Sequence, residues 1–391
     1  MSRVLWLSLR HLAYHRLRSG LVVACLAVVL AVPVAATLLL DRYDTGMRAR
    51  ARETPLVLGP RGNRFDLVLA SLYWRSGQLD SLPWEAFEDV ANERGIEAVP
   101  MHVGFSARGK PVIATGPEYY ERRGLRPQTG GVPLLLGEAT LGSEVAAYLG
   151  LGAGDTLFTD PAGLYDLTRP SSLELEIAGV FAPTGGPDDA AIFTDIKTAW
   201  VLLGLYHGHT EAGAALAADP ELELGRDETH VALSGALLEY NRVDRSTGKS
   251  FHMHGDPGAR PISAVLLWPS SPKAATLTKA RINAEDRWRV LAPAEIVDEL
   301  LSVVLRAKRL FDSVTLLLAL ATVVLVALVL ALSTRLRESE LRTLDRIGCA
   351  PGTIPALVAT EALAILVLAS LVATALVGAC LVLAPRLVHL L

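Results

Sequence analysis

The chain has 391 residues, 51% of them hydrophobic, and a mean hydropathy of +0.35. That is too apolar for an ordinary soluble enzyme and too polar for a chain made only of membrane spans, so a mixed protein is expected. A formal net charge of -4, with no basic stripe and no RNA-binding signature, excludes a nucleic-acid partner.

The first 20 residues carry Arg3, Arg10, Arg16 and Arg18 and no acidic residue. Leu5, Trp6, Leu9 and Leu12 fall on one side of a helix, with Arg3, Arg10 and His11 largely on another, which predicts a cytoplasmic amphipathic helix over 1–18 lying in the membrane interface. An uncharged run from Ser19 to Leu40 follows and predicts a first transmembrane helix over 19–40. A cleaved signal peptide is the alternative, since Val34-Ala35-Ala36 offers small residues, but the run exceeds the usual apolar region of roughly 7–15 residues and reads as a retained anchor. Arg42, Arg48, Arg50, Arg52, Arg61 and Arg64 come soon after it and weaken the charge asymmetry, although long domains translocate largely regardless of charge.

Residues 41–310 form one polar insert between the first and second spans, α+β in character. Asp41 to Arg52 is free of helix breakers apart from Gly46 and predicts a stalk helix. Ser143 to Gly150 predicts a short helix, followed by a Gly-Asp turn into Thr156-Leu157-Phe158. Leu173-Glu174-Leu175-Glu176-Ile177 alternates strictly and predicts a half-buried strand ending at Gly179. Asp188 to Ala199 predicts a strand around Ile192-Phe193 and then a helix, closing a smaller subdomain over about 131–200.

Apolar periodicity fades from Gly204 to Ala259, predicting an irregular loop over about 204–259 in which only Val231 to Leu238 is ordered by packing. Its histidines make two His-x-His pairs, His207 with His209 and His252 with His254, with His230 between them in sequence and Glu211 and Asp256 nearby. Such donors suit zinc, so they are a candidate metal site; the alternative is a polar loop that happens to contain histidines. Ile262 to Trp268 predicts another strand, closed by Pro269. Pro293 then opens a helix, with Ile296, Leu300, Val303, Val304 and Ala307 at helical spacing, as a second stalk running into the second span.

No Asp, Glu, Lys or Arg occurs from Ser313 to Thr334 or from Ala362 to Ala384. At 1.5 Å rise per residue each run covers the roughly 30 Å hydrocarbon core, predicting transmembrane helices over 313–334 and 354–385. Between them lies a charged linker, 335–353, whose Arg335, Arg337, Arg342 and Arg346, with the basic N-terminus, place it in the cytoplasm and the insert outside. Glu361, at the start of the third span, is expected at the membrane interface, solvated or paired with a linker arginine. Cys25, Cys349 and Cys380 all lie outside the insert, so disulfides do not stabilise it.

Catalytic motifs are missing. The nearest approach to a phosphate-binding loop, Asp244 to Ser250, has Val243 where the leading glycine belongs, and no GxSxG, HExxH or CxxC occurs. No nucleotide is expected to bind this chain directly; if ATP drives it, another subunit binds the ATP.

Arg335 to Gly348 reads RLRESELRTLDRIG, followed by Ile354, Leu357 and Glu361. With the basic helix Leu9-Arg10-His11-Leu12, and with Leu141 to Ala146, Leu149-Gly150 and Gly154-Asp155 inside the insert, this order resembles the FtsX-like, MacB-type permeases of ABC systems. The resemblance implies a bacterial inner-membrane protein with a porter-like periplasmic domain carrying an inserted α/β subdomain. It implies a linker that docks on a dimeric cytoplasmic ATPase through Arg337, Glu338, Glu340, Arg342 and Arg346, with Gly348 allowing a turn. An ordinary solvated helix with i,i+4 pairs is the alternative for that charge run. The implied mechanism transmits ATPase motion to the periplasm, for export, possible tripartite efflux with an adaptor protein, lipoprotein extraction or activation of a cell-wall hydrolase. The implied partners are the ATPase, a second permease copy or paralogue, and membrane lipid. Family members usually have a fourth span, whereas counting spans here puts Arg386 to Leu391 outside. A membrane sensor that binds a ligand or metal, and a scaffold without ATPase, are the alternatives in other classes.

Overall fold

The computed structural model describes residues 2–75, 79–161, 172–207, 223–226, 231–233, 243, 251–253, 255–336, 338–350 and 352–388. The chain divides into a helical unit, Met1–Gly46 with Leu301–Leu391, and an α+β unit, Met47–Leu300.

The helical unit is built from α1 (Ser2–Tyr14), α2 (Arg16–Glu53) and three helices at the other end of the sequence. Among the described residues three helices are long and apolar enough to cross a membrane: α2, and the later ones that contain Pro293–Val329 and Thr353–Leu383. Val23, Ala27 and Ala31 of α2 are buried with Ile365, Ala369 and Ala373. Both triplets recur every fourth residue and are mostly alanine, which lets two apolar helices approach closely where dispersion is the main attraction. Pro33 stands within α2, as membrane helices tolerate.

The α+β unit begins with β1 (Leu56–Gly59), α3 (Arg64–Tyr73), β2 (Leu82–Pro83), α4 (Trp84–Ala91), β3 (Ile96–Ala107), β4 (Lys110–Thr115) and α5 (Pro117–Arg123). The smaller subdomain follows as β5 (Pro127–Gly130), β6 (Glu138–Leu141), α6 (Ser143–Leu149), β7 (Thr156–Phe158), β8 (Glu174–Phe181), a 3-10 turn (Pro187–Ala190), β9 (Ile192–Asp195) and α7 (Ile196–Leu202). Next come β10 (Tyr206–His207), β11 (Glu223–Arg226), β12 (Val231–Leu233), β13 (His252–Met253), β14 (Pro261–Ile262), β15 (Ala264–Pro269), α8 (Pro272–Ala284) and β16 (Arg289–Leu291). The remaining helices are α9 (Pro293–Leu336), α10 (Glu338–Arg346) and α11 (Thr353–Val388).

The main sheet has the order β16-β1-β15-β3-β4-β9-β6-β8-β5, with β7 on β8. β4 with β9 and β6 with β8 are parallel; the other pairs are antiparallel. Side chains alternate across it. Leu56, Leu58, Val265 and Leu267 enter one core with Trp200 and Ile282, while Val57, Ala264 and Leu266 enter the other with Leu67, Tyr119 and Phe193. Helices cover both faces, so these strands read as continuous apolar runs. Leu173, Leu175 and Ile177 line a third core with Leu141, Val145 and Leu157, as their alternation with glutamates predicts.

Three expectations are corrected. β8 continues through Gly179 to Phe181, because Gly179 lies against the carbonyls of Thr129 and Gly131 of its neighbour, where a side chain has no room. The single strand expected over Ile262 to Trp268 is two, broken at Ser263, whose hydroxyl serves the backbone of Val103 and lies 2.8 Å from His102 Nδ1. Order in the 204–259 region is not confined to 231–238: Val243 and Phe251 are buried in the third core, anchors too isolated in sequence to show a period. The helix expected from Pro293 runs unbroken as α9, with Ile296 and Val297 buried and Val303 and Val304 exposed.

Candidate functional site

The strongest constellation of charge in the α+β unit surrounds the last turns of α2. Arg50 is 7% exposed and Asp188 4%. The Arg50 guanidinium donates to both Asp188 oxygens, one bond being 2.8 Å, and its Nη2 also donates to Tyr119 Oη at 2.8 Å. Tyr119 Oη donates in turn to Asp188 Oδ1 at 2.7 Å, closing a three-membered ring of hydrogen bonds. Arg50 Nε donates to the Leu72 carbonyl at 3.0 Å, placing a cation at the C-terminal end of α3. The ring of Trp74 lies 5.6 Å from the guanidinium carbon.

Three further contacts hold the same turns. Tyr73 Oη donates to the Met47 carbonyl at 2.6 Å, Trp268 Nε1 to the Glu53 carbonyl at 2.8 Å, and Arg123 Nη1 to Glu53 Oε2 at 3.1 Å. The end of α2 is therefore seated against α3, α5, β15 and the Pro187–Ala190 turn. Local sequence explains the turn: Asp189 accepts from the backbone of Thr184 at 2.9 Å and of Gly185 at 2.6 Å, which presents Asp188 to Arg50. Gly142 packs against the Asp188 and Asp189 carbonyls, leaving no room for a methyl group.

Burial by itself disfavours the charge on Arg50, but its interactions with Tyr119 and Asp188 outweigh this and raise its pKa above the ordinary range. Burial pushes the Tyr119 phenol up as well, so it stays a neutral donor. A charge that is paired and fully hydrogen-bonded out of water is fixed in place. This site holds a helix; it carries no nucleophile.

Sequence reasoning missed this site. Arg50 stood out only as one of several arginines after the first span, and nothing local links it to Tyr119 or Asp188. The run Arg48, Arg50, Arg52 was a signal of sorts, because helical geometry turns alternate residues to different sides and leaves one facing inward. Arg48 instead pairs with Asp298 of α9, at a more exposed position.

The expected linker residues lie around α10. Glu338 pairs with Arg342 at 2.6 Å, both largely exposed, and Arg346 and Gly348 are exposed too, Gly348 with a φ of 84°. Arg337 and the Glu340 side chain lie outside the described residues. Glu361 is 6% exposed and its Oε1 lies 3.1 Å from His11 Nδ1, so α1 supplies a partner to it. Ser8 joins the same contact, 2.7 Å from Thr360 Oγ1. The face of α1 that meets α11 thus carries Ser8 and His11, while Leu5, Trp6 and Leu9 remain exposed.

Of the histidines, His209, His230 and His254 lie outside the described residues, as does the His207 side chain. The β10–β13 register sets His207 opposite His252. Among the described residues no group of three metal-ligating side chains occurs.

No protein-family model and no curated protein matches the chain. Among solved structures, it is similar to the periplasmic region of MacB from Actinobacillus actinomycetemcomitans, at 9% identity and a TM-score of 0.35, over 64% of this chain and 94% of that one. It is also similar to the extracellular domain of the noncanonic ABC-type transporter YknZ from Gram-positive bacteria, at 11% identity and a TM-score of 0.33, over 61% and 99%.

Proposed function

We propose that this chain is the membrane-spanning permease subunit of a bacterial ABC-type system. A separate cytoplasmic ATPase docks on the α10 segment, and its motion reaches the α+β unit through α2 and α9. The observation that carries this reading is continuity. α2 and α9 each combine a membrane-length apolar run with residues of the α+β unit, without a break, and the end of α2 is seated by Arg50. A continuous helix transmits displacement that a flexible linker would absorb. The charged α10 segment follows directly from α9, on the side that the positive charges of both short loops place in the cytoplasm. The chain performs no hydrolysis of its own.

Copurification tests the reading. Full-length chain is solubilised and offered candidate ABC ATPases, in parallel with the triple variant Glu338→Ala, Glu340→Ala, Arg342→Ala. Stable capture by the wild type and its loss in the folded variant is the expected result; no capture by folded wild type removes the proposal.

The His207–His252 register favours a second reading, a sensor whose α+β unit binds zinc. It requires that zinc bind the full chain and that His252→Ala abolish binding. Calorimetry showing no zinc uptake would eliminate it.

A further inference from the structure

We propose that the α+β unit contains a binding site for a small amphiphilic anion, in a cleft between the end of α3 and the β3–β4 hairpin; this stands independently of the permease reading. The cleft has a volume of about 480 Å³, within the range of ordinary small-molecule pockets. Two backbone irregularities make it. β3 carries a bulge between His102 and Phe105, with Gly104 at a φ of 123°, so the hairpin bends away where Val103 and Gly104 stand. Opposite, α3 ends at Trp74 in the left-handed region, at a φ of 58°, a conformation that disfavours a bulky side chain and that proteins concentrate at functional sites.

The lining defines the ligand. Val103, Phe105, Pro111 and Ile113 supply an apolar wall. The donors of Ser106 and Gly109 are already used: both serve Asp160 Oδ2, at 2.7 and 2.9 Å, so they hold the hairpin and leave no bond for a guest. Two side-chain donors remain. Trp74 Nε1 is enclosed and has no acceptor among the described residues, which for a buried N–H calls for an explanation. Arg75 is exposed, makes no ion pair among the described residues, and is the sole charged residue lining the cleft among them. An apolar wall beside an unused N–H and an unused cation selects a molecule with an apolar body and an anionic head. A cation is repelled by Arg75, and a purely polar solute leaves the apolar wall unused.

Binding there acts on the α2 seat. The indole that lines the cleft also lies under the Arg50 guanidinium at 5.6 Å and packs on Tyr119 and Phe193. A ligand that turns Trp74 to engage its N–H shifts a side chain in direct contact with the buried ion pair.

The test uses the full chain in lipid nanodiscs, titrated with phenylbutyrate, phenylbutanol and phenylbutylamine by calorimetry, with empty nanodiscs subtracted. Phenylbutyrate is expected to bind, and the alcohol at least about tenfold more weakly, the value of one charge-assisted hydrogen bond. The amine is expected to give no saturable heat. Arg75→Gln should equalise acid and alcohol, Trp74→Phe should weaken both, and Ala70→Leu, which fills the cleft, should abolish binding. Should Ala70→Leu fail to fold, the exposed Arg75→Gln decides. No phenylbutyrate binding, equal binding of the three probes, or an undiminished preference for the acid in Arg75→Gln would overturn the proposal.

Discussion

Replacing Arg50 by Met tests whether the end of α2 is fixed by a buried charge or merely rests near one. The substitution keeps most of the aliphatic stem and removes the guanidinium. Asp188, 4% exposed, then keeps Tyr119 Oη as its donor but loses both bonds from its cation, and the Leu72 carbonyl loses its donor. Deleting one partner of a buried ion pair costs about 3–5 kcal/mol, because the other charge stays out of water. For a domain of this size that is a fall in midpoint on the order of 10 °C. The assay is thermal unfolding of the full chain in nanodiscs, followed by tryptophan fluorescence, since Trp74 and Trp268 border the seat. Arg48→Met is the internal control: its pair with Asp298 is partly exposed, and pairs of that kind contribute about 0–1 kcal/mol. The triple variant Arg50→Met, Asp188→Leu, Tyr119→Phe should recover most of the loss, since apolar groups can replace a buried ionic pair at little cost and the Tyr119 hydroxyl, which bonds to both, is removed with them. If Arg50→Met costs no more than Arg48→Met, the reasoning about the seat is wrong.

Other perturbations have signs that follow directly. Burial holds His102 at a pKa of about 4 against its ordinary 6.5. The unfolded chain therefore binds the extra proton first, so stability is level above pH 6.5 and falls as pH drops toward 4. A difference of roughly 2.5 pKa units corresponds to at most about 3 kcal/mol, and His102→Gln should flatten that segment of a stability-versus-pH curve. Gly142→Ala drives a methyl into the Asp188 and Asp189 carbonyls; overpacking of this kind costs about 1–3 kcal/mol, and hydrogen exchange should quicken at 184–191. Ala369→Leu enlarges a fully buried alanine facing α2 and should lower the melting point of the helical unit, whereas Leu368→Ala, at an exposed position, should not.

Legibility in the sequence followed the range of the interaction. The three membrane-capable helices were readable because the bilayer sets a length and forbids charge, a rule that needs only a contiguous window. β8 and α6 were readable because alternation and a glycine stop are local signals. The Ser263 break was not, because an apolar run looks the same whether one sheet or two receives it, and the choice is made by a serine serving a backbone many residues away. Arg50, Asp188 and Tyr119 come from an arginine run, an acidic turn and a short helix far apart in sequence, none unusual alone. Only the fold makes them one site. Glu361 shows the same limit: its place at the start of the third span was plain, its partner His11 was not.

The helices also differ in how firmly the chain itself holds them. Of the most apolar eighteen residues of each membrane-capable helix, 28% are buried in α2 and 17% in α11, but 6% in α9. Alanines dock α2 against α11, and the Ser8 and His11 contacts hold α1 to α11, so these three form one packed group. In α9 the apolar side chains from Leu316 to Leu332 remain largely uncovered by the rest of the chain. At its start α9 is held in the α+β unit by Ile296 and Val297, and it leads directly into α10. A helix anchored at its start and little buried along its span can shift without breaking a core of this chain. Under the proposed permease function, substitutions that add a packing partner to the α9 span should therefore slow ATPase-coupled turnover while leaving the fold intact. The same changes in α2 or α11 should cost stability first.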